Sequence, residues 1–198
     1  MKLAFVYAGQ GSQHVGMGKD LYEEFPLFAQ VFDHAPVDFG LKQLCFEGPE
    51  EQLAQTRYTQ PCMAAFAVGV TDLLYQEGIR PQLAAGLSLG EYSALYAAGV
   101  FSRGTVISTV ALRGRAMEEA AQGLDCGMTA VLGLDREKLQ EACDGAAELG
   151  VVQICNYNCP GQLVIGGEKA AVDRAGELAK ELGAKRCTPL KVSGPFHT

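Results

Sequence analysis

Short apolar runs that end in glycine alternate with longer stretches in which apolar residues recur every three or four positions, a pattern typical of strands alternating with helices. The first run, LAFVYA, is too short for the core of a signal peptide and predicts a buried strand. Pro61 and Ser102 suit the first turn and the N-cap of two helices. Up to Gln122 we predict strands Lys2–Ala8 and Leu83–Leu87, a helical stretch from Asp20, and helices Leu41–Phe46, Glu50–Gln55, Gln60–Gln76, Leu89–Gly99 and Arg103–Gln122.

From about Asp125 the order of the predicted elements becomes β-α-β-β-α-β, the split arrangement of a small ferredoxin-like module. We therefore expect three parts, 1–124, 125–192 and 193–198, with the module inserted in an α/β chain. Its elements are strand Met128–Leu134, helix Arg136–Ala147, strands Val151–Asn156 and Gln162–Ile165 around the turn Pro160-Gly161, helix Lys169–Leu182 and strand Arg186–Val192.

Composition narrows the classes of protein. The 198 residues are 48% hydrophobic and 20% charged, which suits a folded core and argues against disorder. Sixteen basic against 23 acidic residues give a net charge of −7, and no run of Lys or Arg interrupts this acidity. We therefore expect no nucleic-acid or membrane partner, and a soluble, cytoplasmic protein.

Seven cysteines, an odd number at scattered spacings, indicate free thiols in a reducing compartment. The nearest pair, Cys155 and Cys159, has no further Cys or His at zinc-site spacing, so we expect no metal.

Gly86-Leu87-Ser88-Leu89-Gly90 lies between a predicted strand and a predicted helix, the context of a nucleophile elbow. A turn this tight needs glycine on both sides, and it holds the serine hydroxyl away from the backbone. The amide of Leu89 would open the helix, where developing negative charge is stabilised. The alternative is a serine that caps a helix between two packing glycines.

A serine nucleophile needs a base, and the chain has three histidines. His34 lies in a charged helical stretch and His14 follows the first glycine-rich turn. His197 stands in Ser193-Gly194-Pro195-Phe196-His197, a rigid turn that could direct the imidazole at the elbow. The alternative is an ordinary loop histidine.

Arg113 shares one helix face with Val106 and Val110, whereas Arg103 and Arg115 do not. A guanidinium on an apolar face needs a partner, either a carboxylate of this chain or an anionic substrate held by two hydrogen bonds. The loop Gly9-Gln10-Gly11-Ser12-Gln13 is either an ordinary turn or a source of a second amide for an oxyanion.

Five segments occur in a specific order: GQGSQ, GLSLGEYSAL, LRGRAM, NYNCPGQ and GPFH. Together they resemble the malonyl-CoA:acyl carrier protein transacylases and the acyltransferase domains of polyketide and fatty-acid synthases, over the whole chain. The resemblance implies an α/β-hydrolase-like core, incomplete at its C-terminus, that carries the ferredoxin-like subdomain.

The resemblance also implies roles for residues. Ser88 would be the nucleophile, His197 its base, and the backbone amides of Gln10 and Leu89 the oxyanion hole. Arg113 would hold the malonyl carboxylate, and Asn156 would lie near the pantetheine arm. The implied partners are malonyl-CoA and acyl carrier protein, with no cofactor.

Leu87 stands where many members have histidine, and Ala8 where many have proline. Members also continue well past the histidine, so we expect this chain to be a fragment of a longer enzyme. The competing hypotheses are a serine esterase or thioesterase, and an inactive fragment that only docks the carrier protein.

Overall fold

The computed structural model describes residues 2–190 and 192–198, which fall into two compact units, Met1–Ala116 and Met117–Thr198. The division lies inside a long helix that begins at Arg103. The three-part division inferred from the sequence stays a prediction. Among the described residues, every helix is too short or too polar to cross a membrane.

The first unit is built around two parallel strands, joined by a largely helical crossover as parallel pairing requires. Tyr7 on the first strand pairs with Gly86 on the second, so the carboxyl ends of both strands lie at one edge. The elements are β1 Ala4–Tyr7, α1 Lys19–Glu24, α2 Pro26–Asp33, α3 Leu41–Glu47, α4 Glu50–Leu53, α5 Thr56–Gln76, β2 Leu83–Gly86, α6 Leu89–Ala97 and α7 Arg103–Ala121.

Helix α5 is the centre of the packing in the first unit. Its fully buried Val68 and Cys62 lie in a core cluster with the aromatic rings of α2. Gly69 is needed in this contact, because a Cβ there would lie 2.5 Å from the ring of Phe28. The close approach of α2 to α5 fixes the helical layer that supports the sheet edge.

The second unit is a four-stranded antiparallel sheet in the order β4-β5-β3-β6, with two helices packed on one face. The apolar residues Val131, Leu139, Ile165 and Val172 are buried in this core. The predicted order β-α-β-β-α-β is confirmed. The elements are β3 Cys126–Leu132, α8 Arg136–Asp144, a 3-10 turn Ala147–Leu149, β4 Val152–Cys159, β5 Gln162–Glu168, α9 Lys169–Glu181 and β6 Arg186–Pro189.

One prediction for the first helices was wrong. The stretch predicted from Asp20 is helical and consists of two helices, because Phe25 precedes Pro26 and adopts an extended backbone, which ends the first helix. Helix α5 begins at Thr56, so Pro61 lies inside the helix and not in its first turn. The earlier start is fixed by Gln55, whose carbonyl accepts from the amides of Tyr58 and Thr59 and from the hydroxyl of Thr59.

Strands β4 and β5 extend further than predicted, to Cys159 and Glu168. Asn156 favours turns in isolation, but β4 continues through it by a bulge between Ile154 and Asn156. Gly166 and Gly167 likewise remain paired within β5. The last strand was predicted as Arg186–Val192 and ends at Pro189; Lys191 lies outside the described residues.

Candidate active site

Ser88 lies at the point where strand β2 turns into helix α6. Its backbone has φ 51° and ψ −102°, a conformation that residues other than glycine rarely adopt. Such strain persists only where the surrounding structure imposes it, and it is concentrated at functional sites. The strand–serine–helix turn predicted from Gly-x-Ser-x-Gly is therefore present, with Ser88 as the residue before the first turn of α6.

Both glycines of the motif are required by close backbone packing. A Cβ on Gly86 would overlap the backbone of Gly90, and a Cβ on Gly90 would overlap the carbonyl oxygen of Tyr7. The amide of Leu87 also donates to the Tyr7 carbonyl at 3.1 Å. The end of β1 thus packs against the turn, so the backbone of Ser88 cannot relax to a more common conformation.

The amides of Gln10 and Leu89 each follow the carboxyl end of a parallel strand, and those two ends are adjacent. Leu89 is the first residue of α6, so its N–H has no carbonyl one turn earlier to donate to. Within the described residues, neither amide donates a hydrogen bond. The side chain of Gln10 is fixed separately, since its Nε2 donates to Thr56 Oγ1 at 3.1 Å.

The guanidinium of Arg113 reaches the serine from helix α7. Its Nη2 donates to Ser88 Oγ at 3.1 Å. The apolar face predicted for this helix is present, because Val110 and Val106 are fully buried one and two turns before Arg113. The sequence periodicity therefore placed Arg113 on the correct side of its helix.

Arg113 forms no ion pair with any carboxylate among the described residues. Its Nη1 is buried and makes no hydrogen bond. By contrast, Arg103 pairs with Asp72 and Arg115 with Asp38. The hypothesis of an internal salt bridge at Arg113 is therefore wrong, and a desolvated donor is left beside the serine hydroxyl.

His197 and Asn156 belong to the second unit. His197 has φ 67°, in the turn after Gly194, where a Cβ would lie 2.6 Å from the side chain of Ala121. Asn156 lies at the bulge of β4, and the thiol of Cys155 contacts its Oδ1 at 3.6 Å. The roles assigned to His197 and Asn156 stay predictions.

The other two histidines differ in their surroundings. His14 lines an apolar cleft of about 440 Å³ in the first unit, beside Tyr7 and Leu89. His34 is exposed, and its Nδ1 contacts the carbonyl of Gln30 at 3.0 Å.

Comparison with known proteins decides the family. Residues 4–192 match the family model described as an acyl transferase domain. The chain belongs to the acyl transferase domain family.

Several relatives of this acyl transferase family are similar along the whole chain. The malonyl CoA-acyl carrier protein transacylase of Bacillus subtilis strain 168 is 47% identical over 200 residues, covering 100% of this chain and 63% of the relative. The crystal structure of MCAT from Streptococcus pneumoniae has 50% identity and a TM-score of 0.92, covering 100% of this chain and 65% of that one.

A second similar structure is that of a type II PKS acyl-carrier protein in complex with its malonyl-transacylase. The match has 44% identity and a TM-score of 0.94, and it covers 98% of this chain and 64% of that one. The chain therefore has the α/β fold of these structures. It spans 63–65% of the length of the relatives that it matches.

Two residues beside Ser88 and Gln10 in the candidate site were missed by the sequence analysis. The ring of Tyr92 lies one turn after Ser88 on α6, and the Arg113 guanidinium carbon is 5.5 Å from its centroid. Thr56 anchors Gln10, and α7 passes close to it because Gly114 has no side chain: a Cβ there would lie 2.8 Å from the Thr56 carbonyl oxygen. Tyr92 could have been found from the sequence, because a residue four positions after Ser88 lies one turn along the predicted helix. The contact of Thr56 with Gln10 depends on tertiary packing and could not be found in this way.

Proposed function

We propose that this chain carries the serine site of a malonyl-CoA:acyl carrier protein transacylase, which transfers malonyl groups by way of a malonyl-serine ester. The observation that supports this most strongly is the contact of Arg113 with Ser88. A guanidinium lies 3.1 Å from the hydroxyl at a strained elbow, and no carboxylate of the described residues neutralises it. An acyl group with a free carboxylate would supply the missing charge.

In the first half-reaction, Ser88 Oγ attacks the thioester carbonyl of malonyl-CoA while His197 takes the hydroxyl proton. The carbonyl oxygen becomes an oxyanion, and the amides of Gln10 and Leu89 stabilise it. The C–S bond then breaks, CoA leaves as a thiol with the proton from His197, and a malonyl ester remains on Ser88.

In the second half-reaction, the pantetheine thiol of acyl carrier protein attacks the ester and gives its proton to His197. The C–O bond breaks, Ser88 recovers the proton, and malonyl-carrier protein leaves. Asn156 would contact the pantetheine arm. The two half-reactions use one site in turn, so ping-pong kinetics are expected, and the chemistry needs no resident metal or cofactor.

The architecture proposed for this site is an α/β-hydrolase-like core with a ferredoxin-like insertion. The parallel pairing of β1 with β2 and the elbow between β2 and α6 support the first part. The sheet order β4-β5-β3-β6 supports the second. In this scheme residues 1–124 form the core, 125–192 the insertion, and 193–198 return to the core with the base.

Intact mass measurement after incubation with malonyl-CoA tests this function. We expect a single malonyl adduct on Ser88 and none on Ser88→Ala. Transfer of that malonyl group to holo-acyl carrier protein, not release of free malonate, separates a transacylase from an esterase or thioesterase. A protein that binds carrier protein but resists fluorophosphonate labelling at Ser88 would be an inactive docking fragment, and the proposal would be wrong.

Recognition of the malonyl carboxylate by Arg113 is tested by comparing two acyl donors. Arg113→Ala should reduce the rate of Ser88 acylation by malonyl-CoA by about 30-fold or more, which corresponds to loss of a buried charge-assisted pair of about 2 kcal/mol or more. Acylation by acetyl-CoA, which has no carboxylate, should change far less. An equal loss with both donors would show that Arg113 does not recognise the carboxylate.

A further inference from the structure

Resting on the proposed function, we propose that Leu87 is a positioning residue for the oxyanion hole. Its side chain lies against Gly9, the residue before Gln10. This contact keeps the Gln10 amide directed at the carbonyl of the acyl group. Leu87 belongs to the elbow and Gly9 to the loop after β1, so the contact joins the two segments that carry the proposed amide donors.

The elbow and the loop after β1 approach each other closely at Gly9. A Cβ on Gly9 would lie 2.9 Å from the carbonyl oxygen of Leu87, nearer than a side chain tolerates, so this approach requires glycine. The same Cβ would lie 3.4 and 3.5 Å from Cγ and Cδ2 of Leu87, which is van der Waals contact. The leucine side chain therefore faces the side of Gly9 on which other residues carry a side chain.

The orientation of the Gln10 amide depends on the backbone of Gly9. The carbonyl of Gly9 and the N–H of Gln10 lie in one planar peptide unit, so a rotation about the Cα–C bond of Gly9 turns both groups together. Glycine permits such rotations more freely than other residues. The hydroxyl of Ser12 donates to the Gly9 carbonyl at 3.2 Å, and Leu87 adds a contact at the α-carbon of Gly9.

Leu87 is itself held at both of its backbone groups. Its amide donates to the Tyr7 carbonyl at 3.1 Å, and its carbonyl accepts from the amide of Gly90 at 2.9 Å. These bonds stabilise the turn that presents Ser88. A side chain that extends from a fixed backbone can position a neighbouring loop, whereas a mobile side chain cannot.

The exposure of Leu87 separates its proposed role from a role in core packing. Leu87 is 49% exposed, whereas Leu89, on the other side of Ser88, is 2% exposed and lies in an apolar cluster with Val110. Shortening a half-exposed leucine leaves no buried cavity and changes the free energy of unfolding little. An effect on acylation can therefore be measured in a protein that remains folded.

The proposed role of Leu87 differs from that of Arg113 in its dependence on the acyl donor. An oxyanion forms on every donor, so a misdirected Gln10 amide slows the chemical step whether or not the donor has a carboxylate. Loss of Arg113, by contrast, affects donors with a carboxylate most. If the Leu87 side chain instead touched the acyl group directly, its replacement would change the reaction of one donor more than that of another.

Acylation of Ser88 by malonyl-CoA and by p-nitrophenyl acetate, an ester without a carboxylate or a CoA group, tests this inference. Leu87→Ala should reduce the maximal rate about tenfold with both donors and leave the half-saturating concentration of malonyl-CoA unchanged. Leu87→Met keeps an apolar side chain of similar volume beside Gly9 and should react like the unmodified chain. So should the control Leu83→Ala, at the first position of β2, where the leucine is 69% exposed. Thermal melts should show that all these variants are folded.

Gly9→Ala tests the same contact from the loop, because the added Cβ would displace Gly9 from Leu87. It should slow acylation by both donors, and the loss in Gly9→Ala/Leu87→Ala should be smaller than the product of the two single losses. An unchanged rate in Leu87→Ala, a loss with only one donor, or independent losses in the double variant would overturn the inference.

The ester separates this inference from the proposed function. If Ser88 reacts with p-nitrophenyl acetate but accepts no malonyl group, the proposed function fails, and the rates of the Leu87 variants with the ester still decide the role of Leu87. If Ser88 reacts with neither donor, both proposals are wrong.

Discussion

Tyr92 supports Arg113 at the level of a single contact. Its ring lies under the guanidinium and stacks on Phe101, with centroids 6.4 Å apart and planes 8° apart. An aromatic face stabilises a desolvated cation by about 0.5–2 kcal/mol. Tyr92 would therefore be a positioning residue that holds Arg113 beside Ser88.

Replacing Tyr92 should affect substrates that carry a carboxylate more than those that do not. Tyr92→Leu should raise KM for malonyl-CoA about threefold to tenfold and leave acetyl-CoA acylation nearly unchanged, whereas Tyr92→Phe keeps the ring and should resemble the unmodified protein. Initial rates with both donors measure this. A similar loss in Tyr92→Phe would mean that the hydroxyl, not the ring, matters.

The sequence predicted much of the site at this scale. Gly86, Ser88 and Gly90 are close in the chain, so their packing could be inferred from the motif. Periodicity also located Arg113 on the apolar face of α7. It did not show whether the guanidinium meets a carboxylate of the chain, because that partner would come from a segment distant in sequence.

At the level of elements, a carboxylate joins three helices of the first unit. Asp72 of α5 has a side chain only 7% exposed and pairs with Arg103 of α7, with Nε 2.6 Å from Oδ2. The hydroxyl of Tyr96 on α6 donates to the other carboxylate oxygen. Burial, followed by the hydrogen bond to Asp72, raises the pKa of Tyr96 to about 12.

This shift in pKa predicts how stability changes in alkali. The neutral phenol is favoured in the folded state, so its contribution is complete below pH 10 and is lost as the pH rises from about 10 through about 12. Urea unfolding midpoints between pH 9 and 12 should therefore fall more steeply for the unmodified protein than for Tyr96→Phe. Parallel curves would show that Tyr96 does not titrate in this way.

Local sequence patterns identified the elements better than their ends. Proline rules favoured a helix start near Pro61, but hydrogen bonds to Gln55 extend α5 backwards. Asparagine and glycine suggested short strands around residues 156 and 166, and pairing with neighbouring strands overrode those local preferences. Tertiary contacts decide these boundaries, and such contacts cannot be read from a window of residues.

Each of the two units has an apolar core of its own, and the seven cysteines, all among the described residues, form no disulfides. Cys45, Cys62 and Cys143 are buried, and only Cys159 is exposed. Burial raises the pKa of the Cys155 and Cys143 thiols to about 11, which keeps them as unreactive thiols near neutral pH.

Alkylation by iodoacetamide should therefore follow burial across both units. We expect Cys159 to react first in the folded protein, and the buried thiols to react only after unfolding in urea, as followed by peptide mass measurement. Cys159→Ser should remove the fast phase. Rapid alkylation of Cys62 in native buffer would contradict the packing of α5 in the first core.

The positive φ angle imposed on Ser88 has a consequence for the thermal stability of the protein. A left-handed conformation costs a residue with a side chain about 1–3 kcal/mol, and Ser88→Ala would keep that cost while removing the hydroxyl. Ser88→Gly would release most of it, offset in part by the greater freedom of glycine in the unfolded chain. A substitution at position 88 can therefore remove the nucleophile and raise thermal stability together. An inactive relative with glycine at this position would have a higher melting temperature than the active enzyme with serine.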